Sequence, residues 1–167
     1  MNILVTGGSG FIGSNFLQTV FDKISDSCKI INLDALTYAA DVNNTIQFEE
    51  RDNYFFERVN LRDYKELCRV FECYNISHVI HLAAESHVDK SISGPDVFIE
   101  SNIIGTFNLL KASRKYGVVK FHHVSTDEVY GQLGKEGKFS ESSPYNPSNP
   151  YSASKASSDF LVKSYCH

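Results

Sequence analysis

Tyr151 and Lys155 stand four residues apart in Tyr151-Ser152-Ala153-Ser154-Lys155, a spacing that puts both on one face of a helix. An ammonium beside a phenol favours the phenolate, so such a pair can take a proton from an alcohol near neutral pH. The pattern alone also fits ordinary helix surface. Upstream, Ser125-Thr126-Asp127-Glu128-Val129-Tyr130-Gly131 sets a hydroxyl beside two carboxyl groups. Thr126 can hydrogen-bond a substrate oxygen, and unequal surroundings could make one of Asp127 and Glu128 an acid and the other a base. Taken alone, this segment reads equally well as a polar loop with a capping Asp.

Gly7-Gly8-Ser9-Gly10-Phe11-Ile12-Gly13 satisfies two dinucleotide spacings, G-x-G-x-x-G through Gly8, Gly10 and Gly13, and G-x-x-G-x-x-G through Gly7, Gly10 and Gly13. Glycine is needed there because the chain must turn sharply, admit a pyrophosphate against bare backbone and let a helix pack close to a strand. The following helix N-terminus faces the anion. Asp34 ends the next apolar run, where a carboxylate accepts hydrogen bonds from an adenosine ribose and repels a 2′-phosphate, which predicts NAD rather than NADP. The plain alternatives are a flexible glycine loop and an Asp that caps a strand end.

The elements that must position these groups follow from periodicity. Ile3-Leu4-Val5 and Lys29 to Leu33 are short continuous apolar runs, the pattern of buried parallel strands. Between them Phe11, Ile12, Phe16, Leu17, Val20, Phe21 and Ile24 recur at helical spacing, predicting one apolar face. Further strands are expected near 54–57, 78–82 and 118–125, and helices near 63–73, 95–116 and from Tyr151 onward, with a loop-rich stretch over 131–150. Regular alternation with helix-length crossovers predicts an α/β fold, a doubly wound parallel sheet of Rossmann type.

Composition narrows the function classes. The 167 residues, 42% hydrophobic and 22% charged, suffice for one globular domain, expected over 1–167. A net charge of −4 offers no cationic surplus for a phosphate backbone, so no nucleic acid is expected as partner. No membrane span or export signal is apparent. Cys28, Cys68, Cys73 and Cys166 lack C-x-x-C spacing and read as reduced thiols, which predicts a cytoplasmic chain. Of the histidines, His122 and His123 would point to opposite faces of one strand, and no metal is expected.

Together these segments resemble the extended short-chain dehydrogenase/reductase superfamily and, within it, the nucleotide-sugar 4,6-dehydratases. The resemblance rests on Gly7 to Gly13, Asp34 to Ala39, His81 to Ile92, Ser125 to Gly131 and Pro150 to Lys155, and it covers the whole chain. By this resemblance the Thr-Asp-Glu triplet distinguishes these enzymes from related epimerases, decarboxylases and mannose dehydratases.

The resemblance implies an NAD-dependent lyase that converts a nucleotide-hexose to its 4-keto-6-deoxy form by an internal hydride cycle. The expected substrate is dTDP-glucose, with UDP-glucose or UDP-N-acetylglucosamine as alternatives. Tyr151, helped by Lys155 and Thr126, would take the 4-hydroxyl proton. Glu128 would remove the C5 proton, and Asp127 would protonate the departing C6 hydroxyl. Cofactor contacts are implied for Gly7, Gly10, Phe11, Ile12, Gly13, Asp34, Leu36, Thr37, Asn60, Leu61, Leu82, Ala83, Ala84, Glu85, Ser86, Ser101, Tyr151 and Lys155, and substrate contacts for Ser86 and Thr126. Ala35 and Asn60 depart from the family's usual Lys and Asp, which bears on cofactor affinity. Family members carry a further C-terminal, substrate-gripping region, so this chain is expected to be a fragment or a truncated product with weak or no turnover alone. A noncatalytic NAD-binding module is the competing expectation. Homodimerisation through the 95–116 and Tyr151 helices is also implied.

Overall fold

The computed structural model describes residues 1–166. Five strands form one parallel sheet: β1 (Asn2–Thr6), β2 (Lys29–Asp34), β3 (Tyr54–Arg58), β4 (His78–His81) and β5 (Lys120–His123). Their order is β3-β2-β1-β4-β5, so the chain builds outward from β1 in one direction and then reverses to the other side. That reversal is the doubly wound, Rossmann-type arrangement, and its switch point lies at the carboxyl ends of β1 and β4. Register pairs Ile3 with Ile30 and Leu4 with Ile31.

Because side chains alternate across a strand, these pairs feed two cores. Ile3, Val5 and Ile30 pack on one face with Leu17 and Phe21 of α1 (Phe11–Phe21), together with Phe48 and Tyr54. Leu4, Ile31 and Leu33 pack on the other with Leu67, Val70 and Phe71 of α2 (Tyr64–Tyr74) and with Leu109 and Ala112. Asp63 caps α2 by accepting from the Glu66 N–H at 3.1 Å. Each fully buried Leu or Ile here contributes about 1.5–3 kcal/mol.

The chain divides into two compact units, Met1–Ala83 with Asn108–Val124, and Ala84–Phe107 with the residues from Ser125 onward. The first contains the whole sheet. The second holds α3 (Val88–Ser93), α4 (Asp96–Phe98), a π-helical stretch Ile99–Gly105, the start of α5 (Thr106–Lys115), a 3-10 turn Asp127–Tyr130 and α6 (Pro150–Ser164).

Several expectations are corrected. Phe11 and Ile12 are 82% and 64% exposed, not part of an apolar face, because they occupy the first turn of α1 beyond the reach of the sheet core. Ile24 falls after the helix. The helix expected over 95–116 is not regular: seven residues, Ile99–Gly105, widen into π geometry, and the short helix α3 precedes it. The last strand spans only 120–123, since Ser125 begins the turn that carries Thr126.

Candidate active site

In the first unit, the turn after β1 leaves no room for side chains. A Cβ on Gly13 would lie 2.1 Å from the Gly7 carbonyl oxygen, and one on Gly7, whose φ is +73°, 2.7 Å from the Ala83 backbone. A Cβ on Gly8 would meet the buried Asn32 Oδ1 at 2.2 Å. The Asn32 amide is itself fixed, donating to Ser9 Oγ at 3.1 Å and Tyr54 Oη at 2.9 Å. Gly10 differs, with no atom nearer than 3.4 Å to its would-be Cβ, so the space above it is open for a ligand. Gly10 is also the N-cap of α1, provides no side-chain cap, and leads into a first turn without acidic residues. First-turn N–H groups there have no intrahelical acceptor, which suits them to an anion.

Asp34 is 93% buried yet does more than end β2. Its Oδ2 accepts from the Ser9 N–H at 3.0 Å and its Oδ1 from the Leu36 N–H at 2.8 Å. The second bond holds Leu36 at φ +52°, a left-handed conformation unusual for leucine. Each oxygen keeps a lone pair for a ribose hydroxyl. Cradle and carboxylate thus fit a dinucleotide. Thr37 is exposed, and Asn60 Oδ1 accepts from the Arg62 N–H at 3.0 Å. Leu61 lies within the core, its carbonyl accepting from Asn108 at 3.0 Å. Leu82 and Ala83 are half-buried, and the Ala83 N–H donates to Thr6 Oγ1 at 3.2 Å. Thr6 Oγ1 is 2.7 Å from Nδ1 of the buried His81, which accounts for that histidine structurally. No three metal-ligating side chains come together among the described residues.

In the second unit, Thr126 caps the 3-10 turn by accepting from the Glu128 N–H at 3.3 Å, which sets Asp127 and Glu128 on successive positions. The Thr126 hydroxyl also hydrogen-bonds Tyr151, and both carboxylates act on that phenol. Thr126 therefore bonds the Tyr151 hydroxyl, with Glu128 and Asp127 near enough for their charges to act on it. Burial, reinforced by Glu128 and Asp127, holds the Tyr151 pKa above its ordinary value despite the Thr126 bond. The shift runs opposite to the one a neighbouring ammonium would cause, because desolvation of the phenol outweighs the Thr126 bond. Lys155 is buried on the same helix, and burial lowers its pKa to about 8 against an opposing pull from Asp159.

Residues that sequence reasoning missed brace this group and the helix behind it. Asn149 caps α6, its Oδ1 accepting from the Ser152 N–H at 2.8 Å while its Nδ2 donates to Glu128 Oε2 at 3.0 Å. An Asn directly before Pro150 is a helix-start signal that could have been read. Asn102, in the π-helical stretch, accepts from the Glu85 N–H at 2.8 Å and donates to the Glu85 carbonyl and to Ser154 Oγ, each at 2.9 Å. Ser158 Oγ returns to the Asn102 carbonyl at 2.6 Å. Asp159 Oδ2 accepts from Ser125 Oγ at 2.6 Å and from Tyr145 Oη at 3.0 Å. Of the predicted residues nearby, Glu85 is buried, Ala84 and Ser101 are half-buried and Ser86 is exposed.

Residues 4–167 match the model of the family described as GDP-mannose 4,6 dehydratase. The chain belongs to that family. Among sequence relatives of this family member is the dTDP-glucose 4,6-dehydratase of Neisseria meningitidis serogroup B, 49% identical over 98% of the chain and 48% of that protein. Solved structures similar to it include dTDP-glucose 4,6-dehydratase from Bacillus anthracis in complex with NAD. That structure has a TM-score of 0.87 and 42% identity, over 99% of this chain and 50% of the other. Another is the UDP-Glc/GlcNAc 4-epimerase of Campylobacter jejuni, at TM-score 0.90 and 29% identity over 98% and 48%. The family member thus spans about half the length of the relatives it matches.

Proposed function

We propose that the chain is the NAD-binding and acid–base part of a nucleotide-sugar 4,6-dehydratase whose substrate is dTDP-glucose. The observation that carries the reading is the Tyr151 hydroxyl bonded by Thr126 with Glu128 and Asp127 near enough to act on it, because oxidation alone needs no pair of carboxyl groups. The first unit's cradle would hold the cofactor, with Gly7, Gly10, Phe11, Ile12 and Gly13 at the pyrophosphate. Asp34, Leu36 and Thr37 would meet the ribose, Asn60 and Leu61 would approach the adenine, and Leu82 to Ser86 with Ser101 would complete the contacts. NAD, when bound, supplies the acceptor for the C4 hydride and the donor that returns it to C6.

The chain's own residues move the protons. Lys155 stabilises the phenolate form of Tyr151, which takes the proton of the 4-hydroxyl and becomes the neutral phenol, with Thr126 hydrogen-bonding the same substrate oxygen. The C4 ketone acidifies C5–H, and Glu128 removes that proton. Asp127 gives a proton to the C6 hydroxyl as it leaves, so the elements of water depart across C5 and C6. Ser86 contacts the sugar. The identity with dTDP-glucose dehydratases supports this substrate over UDP-glucose and UDP-N-acetylglucosamine, and the acidic pair speaks against an epimerase or decarboxylase.

A homodimer is part of the reading, supported by exposed Val97, Ile99, Ile104 and Phe107 along the second unit's helical segment and by Phe160 on α6. So is a cytoplasmic setting, supported by four cysteines without a disulfide. No helix among the described residues is long and apolar enough to cross a membrane.

The test is calorimetric titration with NAD and NADP, followed by incubation with dTDP-glucose and measurement of the alkali-induced absorbance of a 4-keto product. Tight NAD binding with at most slow product formation is expected, since the chain spans about half the length of its relatives. NAD binding without product would favour the noncatalytic module, and no binding at all would sink both.

A further inference from the structure

We propose that Asn149 is a positioning residue for Glu128, fixing the carboxylate that removes the substrate proton by means of the same side chain that starts α6. The role rests on Glu128 being the base of the proposed reaction. A side-chain amide has one accepting and one donating end, and here the backbone decides which faces where. The Ser152 N–H can only donate, so Asn149 must present Oδ1 to it, at 2.8 Å. Its Nδ2 is thereby directed at Glu128 Oε2, at 3.0 Å.

The clamp is itself held. The buried Ser152 Oγ accepts from the Asn149 and Ser148 N–H groups at 3.2 and 3.1 Å, completing a reciprocal cap, and Pro150 restricts the backbone beside it. Asn149 therefore cannot turn its amide over without surrendering the helix cap. The amide N–H thereby holds one carboxyl oxygen of Glu128 and leaves Oε1 as the oxygen to receive a proton. Tyr151 follows two residues later on the same helix turn. One cap thus sets the register of the phenol and the carboxylate together.

Substitutions separate the two duties of Asn149. Asn149→Ser and Asn149→Asp retain a good N-cap, whereas only the parent side chain also donates to Glu128. The measurement is the pH titration of the Glu128 side-chain carbon by NMR on 13C-glutamate-labelled chain, assigned with Glu128→Gln. The other groups facing Glu128 are the Asp127 carboxylate and the Tyr151 phenol, so the series is repeated in Asp127→Asn. Expected are an unchanged thermal midpoint in both variants and, already in Asn149→Ser, where a donor is lost and no charge is added, a Glu128 titration displaced upward from the parent's. Loss of turnover should follow kcat rather than KM. Superimposable Glu128 titrations in all three proteins would overturn the role, whether or not the chain turns over. A shifted titration in a chain that binds NAD yet never dehydrates dTDP-glucose would uphold the coupling and instead refute the dehydratase reading.

Discussion

The Asn102 amide donates to Ser154 Oγ across 2.9 Å, joining the π-helical stretch to the turn of α6 that lies between Tyr151 and Lys155. The same side chain exchanges two bonds with the Glu85 backbone, and Ser158 closes on the Asn102 carbonyl. In a regular α-helix the carbonyl of residue 102 would be taken by the N–H four residues on; π geometry re-spaces these groups. Asn102 is 2% exposed, so every bond it makes replaces water.

Asn102→Ala should therefore destabilise the chain by about 2–4 kcal/mol, since it strands the buried N–H and carbonyl of Glu85 and removes a donor from Ser154 Oγ, which keeps its bond to the Tyr151 carbonyl. Urea denaturation reads this directly. A change within 0.5 kcal/mol, the ordinary range for a surface substitution, would show that the network is dispensable.

Lys155 predicts a pH signature. Its folded pKa of about 8 lies below the ordinary 10.5, so between those values the unfolded chain holds a proton that the folded chain has released. Stability must then rise with pH across that window, and the cost of the buried ammonium, about 3 kcal/mol, is fully present only below pH 8. Tyr145, pushed up to about 12 by burial and Asp159, acts with the opposite sign above pH 10. The window to measure is consequently pH 8 to 10. Lys155→Met should abolish the rise there and be the more stable protein at pH 7. In Asp159→Asn the Lys155 midpoint should fall further, read by 13C-methyl labelling of the lysine.

The glycines separate folding from binding. Gly13→Ala drives a Cβ to 2.1 Å from a backbone oxygen and should cost about 1–3 kcal/mol or more. Gly10→Ala meets nothing nearer than 3.4 Å and should cost under about 1 kcal/mol, mainly as a poorer N-cap. Its methyl nevertheless occupies the space left for pyrophosphate, so NAD affinity should fall about tenfold or more in calorimetry. Full NAD affinity in folded Gly10→Ala would mean that the cradle binds something else.

Tyr151→Phe should keep the fold, because the ring still packs edge-on to Phe98 at 6.4 Å between centroids. Removal of the hydroxyl should lower kcat by about 10²–10⁴-fold in the dTDP-glucose assay, the usual contribution of a positioned proton-transfer group. Turnover near the parent rate would move the base elsewhere.

The glycine turn, the buried strands and the Thr-Asp-Glu and Tyr-Lys spacings were legible in sequence because each follows from local geometry. Periodicity reveals a strand, a glycine run reveals backbone that must approach something, and i, i+4 reveals a shared face. Those features determine the doubly wound α/β class and the candidate chemistry of this chain. What local pattern could not carry is how much each group is buried and by what it is held. The π-helical Asn102 depends on neighbours 17 to 56 residues distant in the chain, the raised Tyr151 and the depressed Lys155 on burial, and the exposed Phe11 and Ile12 on the absence of a packing partner. Desolvation and hydrogen-bond closure are properties of the folded interior, so only the tertiary structure decides which carboxylate meets Asn149 and how tightly the phenol keeps its proton.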